Sequence, residues 1–166
     1  MYRSELWQLV APTVGSIVIA VTLNASLTSI ANAQNYYNVH QSSPVEAQHA
    51  ASGTGATASD AVTTINDGAR VTGNLTTSAA SGVTSDSGQQ SRSIASGALG
   101  TDASDDELVL TAASTTLQWT GLGALDTWIV GLASLRPPST FDPSLFAGLF
   151  GSQPAIVFRV REVVGY

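Results

Sequence analysis

Apolar positions are densest near the start of the chain. Leu9 to Leu23 reads LVAPTVGSIVIAVTL, and no formally charged residue occurs between Leu6 and Val45. Beyond that run, Leu23, Leu27, Ile30, Gln34 and Tyr37 recur at four- and three-residue steps, which line one face of a helix. The spacing predicts one long helix over about 4–38, apolar all round at first and one-sided later. Fifteen helical residues span roughly 22 Å, short of the ~30 Å hydrocarbon core of a bilayer, whereas Leu6 to Ile30 would reach about 37 Å. The helix therefore either crosses a membrane or is buried in protein. Leu9, Val14, Ile17, Val18, Ile19, Val21, Leu23, Leu27 and Ile30 are the residues expected to carry that burial. One small domain cannot cover such a helix, so it implies neighbours.

The remainder divides in two. Residues 41–106 are rich in Ser, Thr and Gly, with islands of strand pattern. Ala61–Ile65 and Ala69–Thr72 flank Asn66-Asp67-Gly68 and read as a hairpin near 61–77, with Gly73-Asn74 as a second turn. The stretches 50–59 and 78–104 read as tether. Residues 107–166 form a small mixed module. Leu108–Leu110 and Thr116–Trp119 read as strands, and Leu125, Trp128, Ile129, Leu132 and Leu135 follow a one-face helical period ended by Pro137-Pro138. Asp142-Pro143 opens a short helix lined by Leu145, Phe146, Leu149 and Phe150. Ala155–Val164 alternates as a strand. The expected core of this module is Leu117, Trp119, Trp128, Phe146 and Phe158. The expected fold class is α+β, in three segments: the helix (1–40), the β-rich middle (41–106) and the C-terminal module (107–166).

Ala11-Pro12-Thr13-Val14-Gly15-Ser16-Ile17-Val18-Ile19-Ala20-Val21-Thr22 resembles the opening of archaeal-type pilins, where a small-Pro-x-Val-Gly run leads an aliphatic helix. Glu5 stands where bacterial type IV pilins carry a glutamate. The resemblance implies apolar helices bundled in a filament core and a β-rich domain facing outward. A separate reading is secretion, with Ala31-Asn32-Ala33 as a small-x-small site and cleavage before Gln34; the Arg3 that would make the leader positive is offset by Glu5.

Composition narrows the chemistry. Charged residues make up 11% of the 166, cysteine and lysine are absent, and the net charge is −6. No disulfide framework, thiolate metal site or cysteine nucleophile is available, and six scattered arginines give no nucleic-acid footprint. Asp102, Asp105, Asp106 and Glu107 form the one dense charge cluster, read as a solvated turn leading into a strand, since EF-hand spacing is missing. His40 and His49 are the only imidazoles, with Glu46 as the nearby acid. Gly121-x-Gly123-x-x-Asp126 has Asp where a dinucleotide fingerprint needs its third small residue, and reads as a turn. Asn24-Ala-Ser and Asn74-Leu-Thr are sequons, the second placed in a turn. No catalytic, cofactor-binding or metal-binding residue is assigned, and no cofactor, nucleic acid or small-molecule substrate is expected.

These features predict a non-enzymatic structural subunit of a large assembly, a capsid- or virion-membrane-associated protein. Its partners would be copies of itself, other structural subunits and, for a spanning helix, a lipid membrane. The alternative is a pilin-like filament subunit or envelope protein at the cell surface or membrane. A binding module would instead need a pocket lined by Trp119, Trp128 and Phe146.

Overall fold

From Ala31 onward the chain is built of short β-branched and small polar residues, which suit pleated, half-buried surfaces. The computed structural model describes residues 2–10, 16, 18–22, 30–138 and 155–163, with side chains at 4–10, 16, 18–22 and 30–138. The described residues form β1 (Tyr2–Leu9), β2 (Ala31–Tyr36), β3 (Val45–Thr54), β4 (Ala58–Thr63), β5 (Ala69–Thr77) and β6 (Thr84–Ser85). After these come β7 (Gln90–Gly97), β8 (Gly100–Val109), β9 (Ser114–Thr120), β10 (Thr127–Leu135) and β11 (Ala155–Val163). They make three antiparallel sheets: a terminal sheet β1-β11-β2, a central sheet β3-β10-β5-β8-β7 and a small sheet β4-β9-β6.

The central sheet is covered on both faces, and its two faces differ in chemistry. Val71 and Leu75 of β5 and Val130 and Leu132 of β10 face Ala58, Val62, Leu117 and Trp119 of the small sheet, forming the apolar core. Each large side chain buried there contributes roughly 1.5–3 kcal/mol. Side chains from both sheets close over Gly73, where a Cβ would lie 2.4 Å from Leu132 Cδ2 and 2.7 Å from Leu117 Cδ1. Gly73-Asn74 is therefore mid-strand and not a turn. On the opposite face Tyr36, Val39 and Leu135 form a small second cluster that anchors β2.

The expected α+β class is overturned, since no helix occurs among the described residues. Both ends of the expected 4–38 helix are strands, and Leu9 closes β1. Val18, Ile19, Val21 and Ile30 are non-helical, while Val14, Ile17, Leu23 and Leu27 lie outside the described residues. The physical reason is side-chain shape: Val18, Ile19, Val21 and Thr22 are β-branched and disfavour helix. No described helix is long and apolar enough to cross a membrane, so the expectations of a transmembrane helix and of a pilin-like helical core are withdrawn.

Three further expectations change. The helix placed at 125–135 is β10, a strand hydrogen-bonded on both sides to β3 and β5. A strand buried on both faces reads as a continuous apolar run, which periodicity alone does not separate from a buried helix. The expected hairpin is a corner: Gly68 takes φ +76°, but β4 pairs with β9 while β5 pairs with β10 and β8. The chain crosses there from one sheet to another. The stretches read as tether, 50–59 and 78–104, contain parts of β3, β4 and β8 and all of β6 and β7. The short helix expected after Pro143 lies outside the described residues. Leu117 and Trp119 are fully buried and Trp128 packs against the core. Phe158 lies in β11, and Phe146 lies outside the described residues.

Candidate functional site

The central sheet meets the terminal sheet through polar side chains, because the even positions of β5 and β8 are polar. Register sets Thr72 opposite Asp106, Asn74 opposite Ser104 and Thr76 opposite Asp102, and all six are buried. The expected solvated turn at Asp102–Glu107 is thus a buried strand. Asp102 and Asp106 lie on the face that the terminal sheet, distant in sequence, covers, whereas Asp105 is buried on the opposite face and Glu107 is half-buried. Thr76 Oγ1 donates to Asp102 Oδ1 at 2.7 Å. Gln34 Nε2 donates to Ser104 Oγ at 2.5 Å, and Asn74 Nδ2 donates to Ser4 Oγ at 2.6 Å. The Tyr36 hydroxyl donates to Gln34 and, at 2.9 Å, is hydrogen-bonded to the Thr72 hydroxyl. Burial pushes the Tyr36 phenol far above its usual range, outweighing the opposing bond to Thr72. Neutral bonds of this kind add about 1 kcal/mol each net, whereas an unmet buried group costs about 1–3 kcal/mol. The layer fixes how the sheets align more than it drives their contact.

Asp106 closes one end of this layer. It accepts from Arg70 Nη1 at 2.6 Å, Arg92 Nε at 2.5 Å and Arg92 Nη2 at 3.0 Å. Its carboxylate has no exposure, while the arginine side chains keep 30% and 34%. The guanidiniums carry the buried charge out to water. The sequence does not show this pairing, since each arginine comes from another strand.

Beside β1 the layer is incompletely covered, leaving a groove of about 450 Å³ whose lining includes Ser4, Leu6, Gln48, His49, Asn74 and Ile129. Gly131 lies in its floor, where a Cβ would stand 2.9 Å from Asn74 Oδ1. These side chains offer amide, hydroxyl and imidazole hydrogen bonds and an apolar wall. Asn74 is mid-strand and buried, not in the turn where its sequon was expected.

The other sequence candidates are placed separately. His49 Nδ1 lies 2.7 Å from Asp60 Oδ1, a partner brought by β4 and not the expected Glu46. Glu46 instead accepts from the Ile65 backbone at 2.9 Å and from Ser134 Oγ at 2.8 Å. His40 Nδ1 accepts from the Ser43 backbone at 3.2 Å. Asp126 Oδ2 accepts from the Gly123 backbone at 2.6 Å, so its own carboxylate fills the turn where a phosphate would sit. Trp119 is in the core and Trp128 lies against Gly53, 2.6 Å from where a Cβ would be. Among the described residues no three acidic or histidine side chains group as metal ligands.

The described surface exposes a run of apolar side chains at the N-terminal strand and just after it. Leu6 is 36% exposed, Trp7 53% and Val18 90%, with Leu9, Ile19 and Val21 also exposed. Ile65, Leu108 and Leu110 add exposed apolar side chains near the β4–β5 corner, where Gly68 N donates to the Val109 and Leu110 carbonyls. No protein-family model, no curated protein and no solved structure matches the chain.

Proposed function

We propose that this chain is a non-enzymatic structural subunit that assembles with copies of itself, and with other structural subunits, into a particle of the virion type. The observation that carries the reading is the exposed apolar surface of β1 and the residues after it, above all Trp7 and Val18. Exposed apolar area of this kind marks an interaction site. The low charge of the chain supports the same reading, because Ser/Thr/Ala/Gly surfaces can pack on one another with few ions to desolvate.

The test is the mass of the purified full chain as concentration rises, by sedimentation and light scattering. Wild-type protein should associate well beyond its 17.0 kDa monomer. Trp7→Asp should weaken association at least tenfold at unchanged circular dichroism, as expected for loss of an interfacial tryptophan. A wild-type chain that remains monomeric at millimolar concentration overturns the reading.

A further inference from the structure

We propose that copies assemble by exchanging β1, so that the N-terminal strand of one copy completes the terminal sheet of its neighbour in the same register. The inference rests on the self-assembly reading above and specifies its contact. The topology supplies the first argument. β1 and β2 flank β11 and are both antiparallel to it, so they run parallel to each other. Leu9 stands opposite Ile156 and Ala31 opposite Val160. The connection must therefore return four residues along the sheet and two strand spacings across it, about 17 Å. Residues 10–30 supply it, and a stretch of that length reaches roughly 70 Å when extended. A domain of this size is about 40 Å across. A crossover between parallel strands takes a dozen or more residues, so this connection closes within one chain and is also long enough to reach the next copy.

The second argument is how lightly β1 is held. Leu6 and Trp7 point to opposite faces of the strand, yet they keep 36% and 53% exposure, and the groove beside Leu6 stays open although Ser4 is bonded to Asn74. β2, by contrast, is fixed by buried Tyr36 and Val39. The third argument is specificity. An arriving β1 meets an eight-residue register from Tyr2–Val163 to Leu9–Ile156, and a one-residue slip would interchange its two faces. Exchange keeps every β1–β11 hydrogen bond and merely transfers it between chains, which makes it a low-cost route to association.

The absence of cysteine allows a direct test on the full chain. Two independent variants, Glu5→Cys with Val160→Cys and Leu6→Cys with Arg159→Cys, place thiols at adjacent register pairs. Adjacent pairs alternate between the two antiparallel pair types, so one of them has the shorter Cα separation that favours a bridge. After oxidation of the assembled protein, a non-reducing denaturing gel should show covalent dimers and longer ladders. A third variant, Ala33→Cys with Phe158→Cys, joins β2 to β11 and should close within single chains. If the protein assembles but both β1–β11 pairs close only within monomers, exchange is refuted and self-assembly stands. If the Ala33–Phe158 pair links different chains, β11 and not β1 is the travelling strand, and the proposal is equally overturned. Failure of the wild-type chain to assemble at all removes the proposal together with the functional reading.

Discussion

Asp105 lies between the central and small sheets with no exposure. Gln89 Nε2 donates to its Oδ2 at 3.0 Å, while its Oδ1, Trp119 Nε1 and Ser85 Oγ are buried without hydrogen-bond partners. Burial raises the Asp105 carboxyl above its ordinary 3.8, despite the polar groups of Ser85, Trp119, Ser91 and Gln89 around it. A raised carboxyl binds its proton more tightly in the folded state, so the ionised form opposes folding at neutral pH. Asp105→Asn should therefore raise the melting temperature at pH 7, and the gain should shrink as pH falls through the raised folded value and vanish below 3.8, where the carboxyl is protonated in folded and unfolded states alike. Thermal unfolding across that range checks it, and an equal gain at pH 3 and pH 7 would sink the explanation. Gly73 gives a second prediction. A methyl there meets Leu132 and Leu117 well inside contact distance, so Gly73→Ala should destabilise by about 1–3 kcal/mol through overpacking. Denaturant titration measures it; a neutral effect would mean the two sheets can separate freely at that point.

At the scale of elements, the strands with clean alternation were legible. In β9, Thr115, Leu117 and Trp119 are buried between exposed Ser114 and Thr116, the period a one-sided strand requires. β10 was not legible, because both of its faces are covered and its apolar residues satisfy a helical spacing as well as a strand one. β5 and β8 were obscured for the opposite reason, since polar residues at their even positions resemble loop until another sheet covers them. Glu46 shows how such elements are tied. It sits on edge strand β3 and joins the β4–β5 corner and β10 by accepting from Ile65 N, Asn66 and Ser134. Burial alone would raise its carboxyl, but the bonds from Asn66, Ile65 and Ser134 outweigh that and hold it below its ordinary 4.5. A depressed carboxyl contributes stability above 4.5 that is lost as pH falls through the folded value. Glu46→Gln should thus be less stable than wild type at pH 7 and lose that difference in acid, opposite in sign to Asp105→Asn.

For the whole molecule, the two faces of the central sheet divide the work. The apolar face holds the small sheet and supplies the core, while the polar face receives a terminal sheet built from both ends of the chain. Val18→Asp tests the association surface apart from β1. It should reduce assembly at least tenfold while leaving the monomer fold intact, because Val18 is 90% exposed in the single chain and an unpaired carboxylate is costly only once buried. Light scattering beside circular dichroism separates these effects, and undiminished assembly would remove Val18 from the contact. By itself the sequence determined the absence of thiol chemistry, the scarcity of charge, the apolar N-terminal surplus and the one-sided strands, all of which follow from residue identity and local period. Only the tertiary structure decided that the described part of the surplus is not helical and that Asp102, Asp105 and Asp106 are buried. It also decided that His49 meets Asp60 and that Asp106 gathers two arginines. Those outcomes depend on which strand lies beside or over which, and in an antiparallel fold of distant pairings that is settled by long-range contact and not by neighbours in sequence.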